Sequence, residues 1–273
     1  VTEETMSLET ILNDISPSWG VCDFSPLKDE LLDRRVKVSS IDGYQSIVVA
    51  LFPYYLGEDA YAGLNISRYA VVPDYHGVVM KRLEKAAGRL KDEFPDGRFT
   101  PFTDNSPIPE VRAAVLAGLG YQGRHGLLIH PAYGSWVFIG EILSSVRFEP
   151  SVPGSTGGCG NCRLCADACP ANILDANRPD KTGCVSNISQ RKGVLTPEQE
   201  KLLRSAGSAW GCDICQTACP ANANAKPAPI DEFRHSVKAR VDKDTETQGR
   251  AFAWRGKEVI RRNLDILKNG ESL

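Results

Sequence analysis

Eight of the nine cysteines lie between Cys159 and Cys219. The first group is Cys159, Cys162, Cys165 and Cys169, followed by Pro170. This is the full C-x2-C-x2-C-x3-C-P run with which thiolates take up iron–sulfur clusters. The second group, Cys212, Cys215, Cys219 and then Pro220, is the same run without its first cysteine, and Ala209 stands in that place. Cys184 brings the total back to eight, enough for two 4Fe–4S cubanes with four thiolates each.

Where two such runs occur together, the fourth cysteine of a run ligates the other cluster. That rule gives Cys159, Cys162, Cys165 and Cys219 to one cluster, and Cys169, Cys184, Cys212 and Cys215 to the second. Cys165 and Cys169 are four apart, so one helical turn carries ligands of both, which sets the clusters on the order of 10 Å apart. Neighbouring clusters form an electron conduit. A disulfide framework would need an oxidising compartment, and structural zinc would show paired C-x2-C motifs without C-x3-C-P. The ninth cysteine, Cys22, reads as a small buried hydrophobe.

Something must position and use those electrons. The chain has 273 residues, 42% hydrophobic and 24% charged, with a formal net charge of −2. That is a globular composition with no global attraction to nucleic acid. No apolar run reaches the roughly 18 residues of a membrane span, and the N-terminus lacks the basic and apolar regions of a secretory signal. Reduced thiolates without an export signal imply the cytoplasm.

Apolar spacing predicts a short helix over 5–15, with Met6, Leu8, Ile11 and Leu12 on one face. A strand follows from Trp19 to Phe24, then a helix from Pro26 through Leu31 and Leu32. A buried strand runs from Ser46 to Leu51. A long helix spans His76 to Phe94, with a basic face read as solvated. A strand from Arg98 to Thr103 delivers Asp104 at its end. Asn105 and Ser106 can cap a helix starting near Pro109-Glu110. Leu127–Ile129 and Trp136–Leu143 look like paired strands joined through Tyr133-Gly134. Residues 1–150 thus read as an α/β (α+β) unit. Residues 151–157 are a linker within a module spanning 151–225, and Thr196-Pro197-Glu198 opens a helix to Ala206 inside it. Residues 226–273 are a tail packing on the core, ending in a helix from Lys257 to Lys268.

Several ordered motifs resemble the epoxyqueuosine reductase family. They are the cluster segment CGNCRLCADACP … GCDICQTACP, SRYAVVPDYH (67–76), DNSPIPE (104–110), AGLGYQG (117–123) and GSWVFIGEI (134–142). The resemblance covers about residues 45–225. It implies a cobalamin-binding core of the kind shared with reductive dehalogenases, followed by a double 4Fe–4S ferredoxin-like module. The implied activity is reduction of the epoxide of epoxyqueuosine in tRNA to the alkene of queuosine. A reduced ferredoxin or flavodoxin-type donor would supply the electrons.

By the same resemblance, Asp104 matches the family's proton donor. From the residues alone it reads rather as an N-cap of the next helix. Arg68, Tyr69, Asp74, Tyr75 and His76 match a stretch near the corrinoid; alternatively Arg68 and Asp74 are a surface pair and His76 opens a helix. Gly118, Gly120 and Gly123 match a close backbone approach to the corrin, or simply a turn. The D-x-H-x-x-G cobalamin motif is broken by Val79, so base-off binding without a protein histidine is expected. Family members continue into helical repeats that help hold tRNA, whereas this sequence stops at Leu273. Two rival readings remain: the same cofactors acting on an organohalide or free epoxide, and a non-catalytic electron carrier or corrinoid-protein activator.

Overall fold

A computed structural model describes residues 7–32, 41–152, 157–174 and 181–269. Met6 and the linker positions 153–156 lie outside them. A four-stranded sheet in the order β1-β2-β6-β3 forms the centre. Its strands are β1 (Ser18–Asp23), β2 (Ser46–Pro53), β3 (Phe99–Thr103) and β6 (Val137–Ser144). Every pairing in it is antiparallel, so the unit is α+β, with helices between strands but no parallel crossover.

All eight residues of β2 are buried because both faces of the sheet are covered. On one face lie Val48, Ala50 and Phe52 of β2. Helix α2 (Tyr75–Glu93) seals them with Val79, Leu83, Ala86, Ala87 and Leu90, a stripe at helical spacing. Asp74 caps this helix by accepting from the His76 N–H. On the opposite face, Ile47, Val49 and Leu51 pack beneath α3 (Glu110–Leu116) through Ala113 and Ala114. Cys22 is buried on that face, as expected.

The first helix, α1, is confined to Leu8–Asn13. Pro26 starts a 3-10 helix, Ser25–Glu30, in place of the expected α-helix. Pro109, and neither Asn105 nor Ser106, occupies the cap of α3; the Ser106 hydroxyl instead accepts from the Ile108 N–H at 3.0 Å. The two late strands do not pair with each other. Leu128–Ile129 (β5) joins Tyr121–Gln122 (β4), while β6 inserts between β2 and β3. The connection read as a hairpin closes locally through His130 and Gly134. The basic face of α2 is partly paired: Arg82 grips Glu232 through two bonds of 3.0 and 2.6 Å, and Lys85 and Arg89 both reach Asp14.

The cluster module contributes α4 (Leu164–Ala168), α5 (Val185–Ser189), α6 (Pro197–Ala206) and α7 (Ile214–Thr217). A Thr196–Gln199 capping box opens α6. The tail wraps back over the molecule. Ile230 and Phe233 enter the α2-side core, and α8 (Lys257–Lys268) packs Val259, Ile260 and Leu264 against Ile66, Val71 and Trp210. Asn263 of α8 is fully buried and donates to the carbonyls of Ser189 and Ala209, each at 2.7 Å.

Leu83 tests the α2 contact. Leu83→Ala is expected to cost about 2–5 kcal/mol of unfolding free energy, read as a shifted urea midpoint with an unchanged slope.

Candidate functional site

The cysteines fall into two neighbourhoods. Cys165 faces Cys159 and Cys219, and Cys219 faces Cys159 and Cys162. Cys212 has Cys184 and Cys169 beside it, and Cys215 has Cys212 and Cys184, with Cys165 of the first set also near. Cys165 and Cys169 sit in α4 and at its C-cap, so that one turn reaches into both sets. Among the described residues, no group of three or more His, Cys, Asp or Glu side chains is arranged to hold a single metal ion. One zinc would need its sulfurs about 2.3 Å from a common centre, whereas a cubane spreads four thiolates over four irons.

Two sets of hydrogen bonds hold the cysteine loops to the sheet unit. Arg124 donates its backbone N–H to Cys159 Sγ at 3.2 Å and its side chain to the Cys162 carbonyl at 2.9 Å. On the other side, the Ser67 and Ala209 N–H groups bond to the Trp210 and Asn65 carbonyls at 2.7 Å each. Asp213, next to Cys212, accepts from the Ser67 hydroxyl and from the Arg68 N–H. Burial pushes the Asp213 carboxyl up, and these donors oppose it. Gly134 and Asn222 lock a third contact. A side chain at Gly134 (φ +58°) would meet Asn222 Oδ1 at 2.0 Å, and that oxygen instead accepts from the Ser135 N–H.

Between the sheet unit and the second cysteine set lies a cavity of about 610 Å³. Tyr54, Tyr69, Tyr75 and Phe138 give it aromatic walls. Asp104 and Glu110 line it from the β3–α3 loop, and Cys169, Cys184, Cys212 and Cys215 line it from the cluster module. Tyr75 lies flat on Phe138, with ring centroids 4.0 Å apart, and Trp210 Nε1 donates to the Tyr69 hydroxyl at 2.6 Å. Burial raises both phenols well above their ordinary range, so they stay neutral. A larger groove of about 860 Å³ runs between α6 and α8. It touches none of the expected site residues, and its cations Lys243, Arg204 and Arg261 already pair with Asp265, Glu200 and Glu258.

Asp104 follows β3 with φ +55°, a left-handed backbone that is rare outside glycine and costs energy wherever it persists. Its Oδ2 lies 3.3 Å from His76 Nε2, and His76 Nδ1 lies 2.7 Å from Asp74 Oδ1. An imidazole that faces a carboxylate at each nitrogen is favoured in its doubly protonated form. The Asp104 and Asp74 bonds accordingly raise the His76 pKa to about 9, against the opposing effect of burial.

Of the stretch 68–76, Tyr69 and Tyr75 reach the cavity. Asp74 and His76 stand behind Asp104, and Asp74 pairs with His76 and not with Arg68. The Arg68 guanidinium is buried over Tyr61 and Trp136, 4.7 and 5.0 Å from the ring centroids, and pairs with Glu58 at 2.8 Å. Gly120 and Gly123 are pressed against Ile129, and Gly118 lies in the turn after α3 with φ +78°. Sequence reasoning did not single out Tyr54, Asp213, His125 or Glu141. His125 lines the cavity, with its pKa lowered by burial to about 4. Glu141 lies in β6 with 1% exposure, and a lone acid inside the apolar run Trp136–Leu143 was its signal.

The His76 bonds have a pH signature. The folded value lies above the ordinary 6.5. The stabilisation is therefore complete below about pH 6.5 and is lost as pH rises through about 9. Wild type is expected to lose more melting temperature over that interval than His76→Gln, in a pH series of thermal denaturation.

Residues 35–105 match the family described as epoxyqueuosine reductase QueG, DUF1730, and residues 158–222 match the 4Fe-4S double cluster binding domain. The epoxyqueuosine reductase of Staphylococcus aureus is 34% identical over 200 residues, 70% of this chain and 52% of the relative. That of Xanthomonas campestris pv. campestris is 35% identical over 199 residues, 72% of this chain and 54% of the relative. The chain thus spans about half the length of the curated relatives it matches. In fold it is similar to the epoxyqueuosine reductase of Streptococcus thermophilus. The TM-score is 0.78 at 22% identity, over 95% of this chain and 79% of that one. A catabolic reductive dehalogenase shares the fold more distantly, with TM-score 0.55 and 17% identity over 96% of this chain and 36% of its own. Sequence, domain content and architecture agree, and the chain belongs to the epoxyqueuosine reductase family.

Proposed function

We propose that this protein is a cobalamin-dependent iron–sulfur reductase that removes the oxygen of an epoxide, with epoxyqueuosine in tRNA as its substrate. The observation that carries the reading is the shared cavity. A single space is bounded by the thiols of the second cysteine set on one side and by Asp104 on the other. Electrons and a proton can therefore reach the same bound group from opposite walls. A relative of this fold, 24% identical, has been solved with an epoxyqueuosine-modified tRNA stem loop. Cluster ligation by reduced thiolates suits a reducing compartment such as the cytoplasm, and among the described residues no helix is long and apolar enough to cross a membrane.

The residues fit a corrinoid. The walls are broad and aromatic, matching a large ring with apolar faces. Lys181, Gln122 and Gln190 at the margin can meet its polar amide rim. Tyr69, Tyr75 and Phe138 would hold the macrocycle, while both nitrogens of His76 are engaged by the Asp74 and Asp104 carboxylates. Bound there, the corrinoid supplies a strongly reducing nucleophile. Cys159, Cys162, Cys165 and Cys219 would hold one 4Fe–4S cluster, and Cys169, Cys184, Cys212 and Cys215 the other. Together they pass electrons singly from a reduced ferredoxin or flavodoxin-type donor. The Arg124 N–H donated to Cys159 Sγ would help tune the potential of the cluster held by Cys159, Cys162, Cys165 and Cys219. The neighbouring imidazolium favours the carboxylate of Asp104 at rest. Proton delivery from Asp104 thus draws on the proton held by His76, which passes across the 3.3 Å contact as charge develops on the leaving oxygen.

Reconstituted, desalted protein is expected to carry about eight irons per chain and a retained corrinoid band. Iron without corrinoid would turn the reading to an electron carrier. Cys184→Ser is expected to lose about half of the iron, because it removes one ligand of one set. Asp104→Asn should keep both cofactors and lower epoxide turnover by about 10²-fold or more. Binding of a modified tRNA stem loop should weaken steeply with salt; salt-insensitive or absent binding with intact turnover of a free epoxide would move the substrate to a small electrophile.

A further inference from the structure

Deoxygenating an epoxide breaks two C–O bonds and forms one C=C bond. The oxygen leaves as water, so the reaction consumes two electrons and two protons. Asp104 accounts for one proton per turnover. The cavity wall carries a second acid, Glu110, at the start of α3. Behind it, in the middle of the central strand β6, lies Glu141.

Glu141 is unusual in three respects. It is 1% exposed, and neither carboxyl oxygen has a hydrogen-bond partner. The hydroxyl of Ser106, in the Asp104 loop, is the nearby donor, but it stands outside hydrogen-bonding geometry. Glu141 sits opposite Val49 of β2 and Phe102 of β3, on the sheet face covered by α3. Among the described residues, its ionisable neighbours there are Glu110 from α3 and Cys22 from β1. The Tyr44 hydroxyl on the same face is engaged by Thr100. Nothing among these is cationic. A buried carboxyl beside another acid and a thiol is favoured in its neutral form. Burial, reinforced by Glu110 and opposed by the Ser106 hydroxyl, raises its pKa well above the ordinary value.

We propose that Glu141 is a buried, protonated acid that recharges the cavity through Glu110, supplying the second proton of the reduction. The inference rests on the epoxide reading. In the step, the Glu141 O–H bond breaks and its proton passes to the Glu110 carboxylate, and the Glu110 O–H so formed gives that proton to the departing oxygen, which returns Glu110 to a carboxylate. Glu141 then regains its proton from solvent through Glu110. The two electrons come through the clusters from a low-potential one-electron donor. Glu141 does not touch substrate; it is a positioning and proton-storing residue, and its position two residues beyond the cavity-lining Ile139 places it about 7 Å further from the cavity along the strand.

Two measurements test this. The first is the infrared carbonyl stretch of protonated carboxylic acids in purified protein at neutral pH, with no substrate or corrinoid required. A band present in wild type and missing from Glu141→Gln is expected; a spectrum unchanged by the substitution overturns the proposal and leaves the epoxide reading standing. The second is turnover by the reconstituted enzyme across pH. Glu141→Gln preserves shape and neutrality, so melting temperature and corrinoid retention should match wild type. Turnover should fall about 10-fold or more, and the pH profile should change shape. Wild-type turnover with an unaltered profile overturns the relay. A wild type with the band but with no epoxide turnover overturns the functional reading, and the relay with it.

Discussion

The paired backbone contact between residues 65–68 and 209–213 is the constraint on which the rest of the site depends. Ser67 and Ala209 exchange bonds with Trp210 and Asn65, and Asp213 closes the contact onto Ser67 and Arg68. This clamp lies immediately beside Cys212. It sets the distance from the second cysteine set to the aromatic walls by main-chain hydrogen bonds, not by mobile side chains. The buried Arg68, held among Tyr61, Trp136 and Glu58, anchors the sheet side of the clamp. The tail reinforces the other side, because Asn263 ties the Ala209 carbonyl to that of Ser189. Arg68 therefore serves the cavity from a distance, holding the segment from which Tyr69 projects.

The electrostatics of the cavity are asymmetric. Around Asp104 a cation is present, because His76 is held charged between two carboxylates. Around Glu141 the ionisable neighbours among the described residues are an acid and a thiol. Two carboxyl groups thus stand in different environments, one on a loop beside a cation and one on a strand where burial favours the neutral form. Such a separation lets carboxyl groups take different parts in one reaction.

Features that depend on local chemistry were legible in the sequence. The cysteine spacing reports how a loop wraps a cluster. The stripe of α2 and the start of α6 at Thr196 were equally readable, because helical periodicity and helix starts are decided within a few residues. What escaped was set by tertiary contact. The strands β5 and β6 looked like partners because they are adjacent in sequence. The longer β6 instead found two long neighbours, and β5 was left with two residues of β4. Asp104 looked like a helix cap because caps favour aspartate, but Pro109 holds that place, five residues on. The isolation of Glu141 could not be read at all, since it depends on what α3 and β1 bring to the same face.

The left-handed backbone at residue 104 also restricts which acid can stand there. Aspartate and asparagine tolerate that conformation far better than longer or branched side chains do. A glutamate would meet a steeper backbone penalty and would project its carboxyl one methylene further. Conformation therefore acts as a filter on chemistry: the fold admits a short acid at this point, and the reach of its carboxyl is decided by the main chain before any ligand arrives.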